Sequence, residues 1–334
     1  MATTRGSCRR WTPWESSMPS RLFKLTKSCG RGSPRGPSLF AMSTLTGTRT
    51  RQPLKISTNR SDLPGRKKPM PPRSFLDHAA KAAEIVARFS KSKTASETSY
   101  ATVRDYCESL DDLPQITGLD GDLKNVQRPW AVKALLRAQP PPARLLEIGG
   151  GEPIVSGFLT ELGYDVTLVD PYDGSGNGPT EYEQYASAFP KVKLVRSHFE
   201  PDLRIFAPRS FDAIFSVSVL EHLSPESLAN CFRAIEAFLK PDGASVHCFD
   251  FVLQGLVQEY DLSVANNILQ HQARLEGHVL KNGMSDLLER LKTDTETFFL
   301  SPQGHHHWRG GLPYDQFPFR KVVSLQTIAF RSGT

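Results

Sequence analysis

Glu147 stands two residues before Gly149-Gly150-Gly151, which sets a carboxylate beside a turn without side chains. A glycine turn lets a ligand approach bare backbone, and the N–H groups at the start of a following helix favour an anion there. Further on, Asp170 closes the run Val166-Thr-Leu-Val-Asp170, and Glu221-His222 follows the apolar run Phe211 to Val217. His198-Phe199-Glu200 and the cluster His305-His306-His307-Trp308-Arg309, with Tyr314 close by, complete the polar and aromatic groups that invite a chemical role. Three adjacent histidines suggest a metal, but no cysteine or acid beside them completes a ligand set, so no metal site is expected.

These groups need elements to hold them. Leu145, Leu146 and Ile148 form a short buried strand ahead of the glycines, and Ile154, Val155, Phe158, Leu159 and Leu162 recur at helical spacing after them. Pro153 falls where a first helical turn tolerates proline. Further strands are expected over 166–170, 192–195, 211–217 and 244–251, with helices over 178–189 and 225–239 between them. Such alternation predicts a parallel sheet with helices on both faces. Helices are expected before it, within 75–89, 100–113 and 125–139, and after it, within 256–275 and 284–291. Two last strands are expected over 295–300 and 322–331.

The register of the glycines separates two ligand classes. A dinucleotide fingerprint begun at Gly149 and Gly151 calls for a third glycine at position 154, where the chain has Ile154. Glu147-x-Gly149-x-Gly151 after an apolar strand instead resembles the first motif of class I S-adenosylmethionine-dependent methyltransferases, with Pro153 where the pattern often has another glycine. The resemblance extends over roughly 128–251. It includes Phe211-Asp212, the apolar strand and Glu221-His222-Leu223, then the turn Leu239-Lys-Pro-Asp-Gly243.

The resemblance implies a Rossmann-like α/β fold, a doubly wound sheet that is mostly parallel with an antiparallel last strand. It implies S-adenosylmethionine as cofactor, held by Glu147, Gly149, Gly150, Gly151, Asp170, Pro171, His198, Phe199, Ser216 and Val217. Asp170 would bind the ribose diol, because a carboxylate accepts two hydrogen bonds at once. His198 stands where the family usually has an acid near the adenine, so adenine contact and an ordinary surface role both stay open for it. Catalysis needs no obligatory side chain; His222 and His307 are the base candidates, and Trp308, Arg309 and Tyr314 the acceptor-side candidates. The motif typical of base-amino methyltransferases is absent after the fourth strand, where Ser216-Val-Ser-Val stands, so a small-molecule or glycan-like acceptor is expected. Two other readings are a non-catalytic cofactor-binding or interaction protein and an NAD(P)-dependent oxidoreductase.

Charge divides the chain. Residues 1–73 hold sixteen Lys and Arg against two Asp and Glu, so a formal net charge of +6 overall leaves the remainder near −8. The basic balance therefore belongs to the N-terminal stretch, and a nucleic-acid partner is not expected for the globular part. That stretch, rich in Arg, Ser, Thr, Pro and Gly, is expected to be a disordered extension. It also has the character of an organelle transit peptide, or reflects a start upstream of Met42 or Met70. The domain organisation is read as the extension 1–73 and a domain 74–334. The domain comprises N-terminal helices (74–140), a cofactor-binding core (141–251) and a C-terminal part with helices, the last two strands and a lid loop (252–334). Five scattered cysteines without a Cys-x-x-Cys pair indicate a reducing compartment. With no long apolar run to span a bilayer, the expected location is cytoplasmic, or organellar if the extension is a targeting sequence. Oligomeric state is not legible.

Overall fold

The structure, a computed structural model, describes residues 70–92, 94–175, 178–255, 258–281, 283–301 and 319–333. All of them belong to the unit Pro64–Thr334. In chain order the elements are α1 (Ala79–Phe89), β1 (Glu97–Tyr100), α2 (Val103–Asp112), α3 (Lys124–Ala138), β2 (Arg144–Ile148), α4 (Ile154–Glu161), β3 (Asp165–Asp170), α5 (Tyr182–Ala188) and β4 (Lys193–Arg196). They continue with β5 (Phe211–Val217), a single 3₁₀ turn (Leu220–His222), α6 (Pro225–Phe238), β6 (Leu239–Gly255), α7 (Gln258–Leu275), α8 (Ser285–Thr293) and β7 (Phe319–Phe330).

The strands make one seven-stranded sheet in the order β1-β7-β6-β5-β2-β3-β4. From β4 through β6 every pairing is parallel, whereas β7 runs antiparallel to both β6 and β1. This is the Rossmann-like, mostly parallel sheet with an antiparallel last strand that the motifs imply. Alternating side chains serve opposite layers. Leu146, Ile148 and Ile214 pack with Phe232, Ile235 and Ile268 on one face. Leu145, Val166, Ala213 and Phe215 pack with Leu135, Phe158 and Leu159 on the other. Burial on both faces explains why these strands read as continuous apolar runs.

Helix starts follow their side chains. Thr102 and Asp105 form a reciprocal capping box on α2, with the Thr102 N–H donating to the Asp105 carboxylate at 2.8 Å. Ser224 accepts from the Ser227 N–H at 3.1 Å ahead of Pro225 on α6. Before α1, the Phe75 and Leu76 N–H groups donate to the Glu161 carboxylate at the end of α4. Asp212 accepts from the Arg144 N–H at 2.8 Å and meets Lys240 at 2.6 Å, tying β5 to the start of β2.

Three boundaries differ from expectation. The edge strand β1 is the polar run Glu-Thr-Ser-Tyr, which lacks any apolar alternation to announce it, and it forms because β7 offers a free edge. The segment 295–300 makes only isolated bridges, Thr102 to Thr297 and Phe299 to Val323. The turn at Pro241-Asp242-Gly243 is bulged out inside β6, which pairs with β5 at Phe211↔Leu239 and resumes at Ala213↔Ala244. Asp242 takes a positive φ of 58° there.

Candidate cofactor and acceptor cleft

The chain leaves β2 toward β3 and β4 on one side, then crosses to β5 on the other. The carboxyl ends of β2 and β5 therefore form a topological switch point, where an open α/β sheet leaves a crevice. A cleft of about 780 Å³ lies there, lined by Gly149–Gly151, Asp170, Val217–Val219 and by Lys124 and Arg128 of α3.

Its floor is the glycine turn. Gly149 has a φ of 63°, and a Cβ added to it would lie 2.8 Å from Val219 Cγ1. A Cβ on Gly150 would lie 2.5 Å from Leu168 Cδ1 and 2.7 Å from the Glu147 carboxyl carbon, so no side chain fits at either position. Asp170 fastens this turn: Oδ2 accepts from the Gly151 N–H at 3.1 Å and Oδ1 from the Tyr172 N–H at 2.9 Å. The Tyr172 hydroxyl donates to the Gly151 carbonyl at 2.9 Å. Each Asp170 oxygen keeps a lone pair for a further donor.

Glu147 lies beneath the turn and does not line the cleft; it is 2% exposed and accepts a short hydrogen bond from Ser156. Burial pushes its carboxyl up to about 7 against a usual 4.5, with the Ser156 bonds and the nearby Arg128 charge opposing that rise. The folded state thus holds this proton more tightly than the unfolded chain, so the contribution to stability declines as pH rises from about 4.5 through about 7. Above that window the loss is roughly 3 kcal/mol. Glu147→Gln keeps an acceptor for Ser156 and removes the loss. Its melting temperature is expected to exceed that of the wild type at about pH 8 and to converge with it toward about pH 5 in calorimetric scans.

The other expected residues divide between cleft and core. Pro171, His198, Phe199 and Val217 line the cleft. His198 is largely exposed, 3.8 Å from the Asp173 carboxylate, whereas Phe199 is buried against Phe238. Ser216 is buried, and its hydroxyl meets His247 Nδ1 at 2.7 Å; the His247 ring is completed by Ser245 at 2.8 Å and pushed down to about 3 by burial. His222 lines the mouth of the cleft and is half-exposed, 4.0 Å from Glu221. His307, Trp308, Arg309 and Tyr314 lie outside the described residues. Among the described residues no group of three or more His, Cys, Asp or Glu could hold a metal ion.

Sequence reasoning did not single out Arg128 or Lys124, which line the cleft together with Ser218, a residue expected at the ligand end of the fourth strand. Arg128 is half-buried, with Asp122, Glu152 and Glu147 the acids around it. Only a basic residue on a helix ahead of the glycine turn could have signalled it.

Residues 123–319 match the methyltransferase domain family, and the chain belongs to that family. Two curated relatives are uncharacterised proteins of Mycobacterium tuberculosis, strains CDC 1551 / Oshkosh and ATCC 25618 / H37Rv. Each is 32% identical over 122 residues, which is 36% of this chain and 39% of the relative, so the match spans well under half of the relatives' length. Similar solved structures include geranyl diphosphate C-methyltransferase from Streptomyces coelicolor A3(2). It is 12% identical with a TM-score of 0.40, over 75% of this chain and 98% of that one. Another is 1,6-didemethyltoxoflavin-N1-methyltransferase from Burkholderia thailandensis, 16% identical with a TM-score of 0.37, over 79% and 94%.

Proposed function

We propose that the chain transfers a methyl group from S-adenosylmethionine to a small-molecule acceptor. The observation that carries this reading is the side-chain-free turn Gly149-Gly150 facing a switch-point cleft, with Asp170 anchored beside it. When bound, this cofactor supplies an electrophilic methyl group on a sulfonium. The residues present fit it. The glycine turn offers backbone without side chains, Asp170 has lone pairs left for a diol, and Pro171 and Phe199 offer apolar surface for a base. Arg128 and Lys124 line the same cleft, and their charge suits the carboxylate of an amino-acid group. Glu147 supports the turn from below rather than through contact. Orientation and exclusion of water are then the protein's main contribution to rate.

Among the described residues no helix is long and apolar enough to cross a membrane. A dissolved acceptor and a cytoplasmic location are parts of the same proposal. A nicotinamide reading is disfavoured by Ile154, a buried residue opening α4 at the place of a third glycine. Calorimetry with S-adenosylhomocysteine and NADH separates the readings: the first is expected to bind with micromolar affinity or better and the second not at all. Binding of NADH alone would overturn the proposal.

A further inference from the structure

The cleft wall after β5 carries a hydroxyl backed by two partly buried carboxyl groups. Ser218 lines the cleft directly after the strand, with a φ of 53° and its N–H bound to the Cys248 carbonyl at 2.9 Å. Its hydroxyl donates to Gln127 Oε1 at 2.8 Å and lies 3.3 Å from Asp250 Oδ1. Gln127 is fully buried on α3, and its amide donates to the same Asp250 oxygen at 2.8 Å. Behind them, Glu221 accepts from the Asp250 N–H at 2.9 Å. The Glu221 side chain is 10% exposed, and its second oxygen has no hydrogen-bond partner among the described residues. None of this is needed to hold the glycine turn.

Resting on the methyltransferase reading above, we infer that Ser218 and Asp250 form the proton path of the acceptor site, and that the acceptor presents a neutral hydroxyl. The acceptor O–H proton passes to Ser218 Oγ while the Ser218 hydrogen, rotated from Gln127 to Asp250, passes to Oδ1. The acceptor oxygen keeps the electron pair and bonds to the methyl carbon as the carbon–sulfur bond breaks toward sulfur. Asp250 then returns its proton to solvent. Glu221 stays protonated, raised well above the usual carboxylate range by burial and by the Asp250 charge. Burial raises the Asp250 carboxyl as well, but its Oδ1 accepts from Gln127 and faces the Ser218 hydroxyl, so of the two acids it is the one whose charge has donors to hold it. Lys124 and the Gln127 and Ser218 hydrogen bonds favour its charge, whereas Asp122 opposes it; the Cys248 thiol, pushed up by burial and by these acids, stays protonated. Ser218 lines the cleft with a carboxylate at its back, which gives an acceptor O–H a place to lose its proton; a neutral amine needs none before it attacks.

Phenol is a suitable probe, with the protein saturated with S-adenosylhomocysteine for binding and with S-adenosylmethionine for turnover. Calorimetric affinity for phenol is expected to rise with pH in the wild type as Asp250 ionises. It should fall about tenfold in Ser218→Ala and lose its pH dependence in Asp250→Asn. Phenol methylation should slow by about 10²- to 10⁴-fold in both variants. Thiophenol supplied as its thiolate needs no base, and its methylation should persist in both. If the wild type does not bind S-adenosylhomocysteine, the methyltransferase reading fails and takes this inference with it. If it binds but phenol is ignored, if benzylamine is methylated instead, or if the variants slow the thiolate as much as phenol, the proton path is wrong and the broader reading stands.

Discussion

Gly149→Val is expected to abolish binding of S-adenosylhomocysteine while leaving the sheet folded. The backbone at Gly149 sits at a φ of 63°, which costs a β-branched residue about 1–3 kcal/mol of strain. Its Cβ would also stand 2.8 Å from Val219 Cγ1, so either the turn or the β5 end must shift. Both border the cleft, and Gly149 lies at the end of the β2 pairing rather than inside it. The folded core therefore survives a local displacement that removes the ligand's footing. Calorimetry reads the lost affinity and far-ultraviolet circular dichroism the retained fold. An unchanged dissociation constant would falsify the placement of the cofactor on this turn.

Arg128→Met should weaken S-adenosylhomocysteine by roughly 30-fold or more, as expected when one member of a desolvated charge pair is removed, at a cost of about 2 kcal/mol or more. The reason for the choice is that it lines the cleft with the glycine turn and carries a cation near Asp122, Glu152 and Glu147. Methylthioadenosine, which lacks the amino-acid end, should bind the variant and the wild type alike, and Arg128→Lys should recover part of the loss. Equal weakening of both ligands would instead assign Arg128 a purely structural part. Stability should fall as well, because the variant leaves Asp122 and Glu147 buried without that cation.

Particular residues show how far the chain could be read in advance. β5 has the bounds expected for it, Phe211 to Val217, because a strand buried on both faces writes a continuous apolar run. The polar β1 left no such mark. Gly149, Gly150 and Gly151, contiguous in the chain, and Asp170, distant from them, line one cleft. Ser216 and Ser218 part company: the pleat turns Ser216 inward to His247, and the left-handed backbone after the strand leaves Ser218 lining the cleft. A two-residue difference in side-chain direction is invisible to composition and depends on where the strand ends.

By sequence alone, the glycine turn, the strand-helix alternation and the order of acids were determined, because each depends on local dihedral freedom or on a periodic pattern within a single element. The partners that convert this turn into a cleft were decided only by tertiary structure. Arg128 and Gln127 come from α3, Ser218 from the residue after β5, Glu221 from the 3₁₀ turn that follows, and Asp250 from β6. They meet because the sheet crosses over at β2 and packs α3 against β5 and β6. Such meetings depend on long-range packing, and the energies that set them, burial of charge and satisfaction of buried polar groups, exist only once the chain has closed.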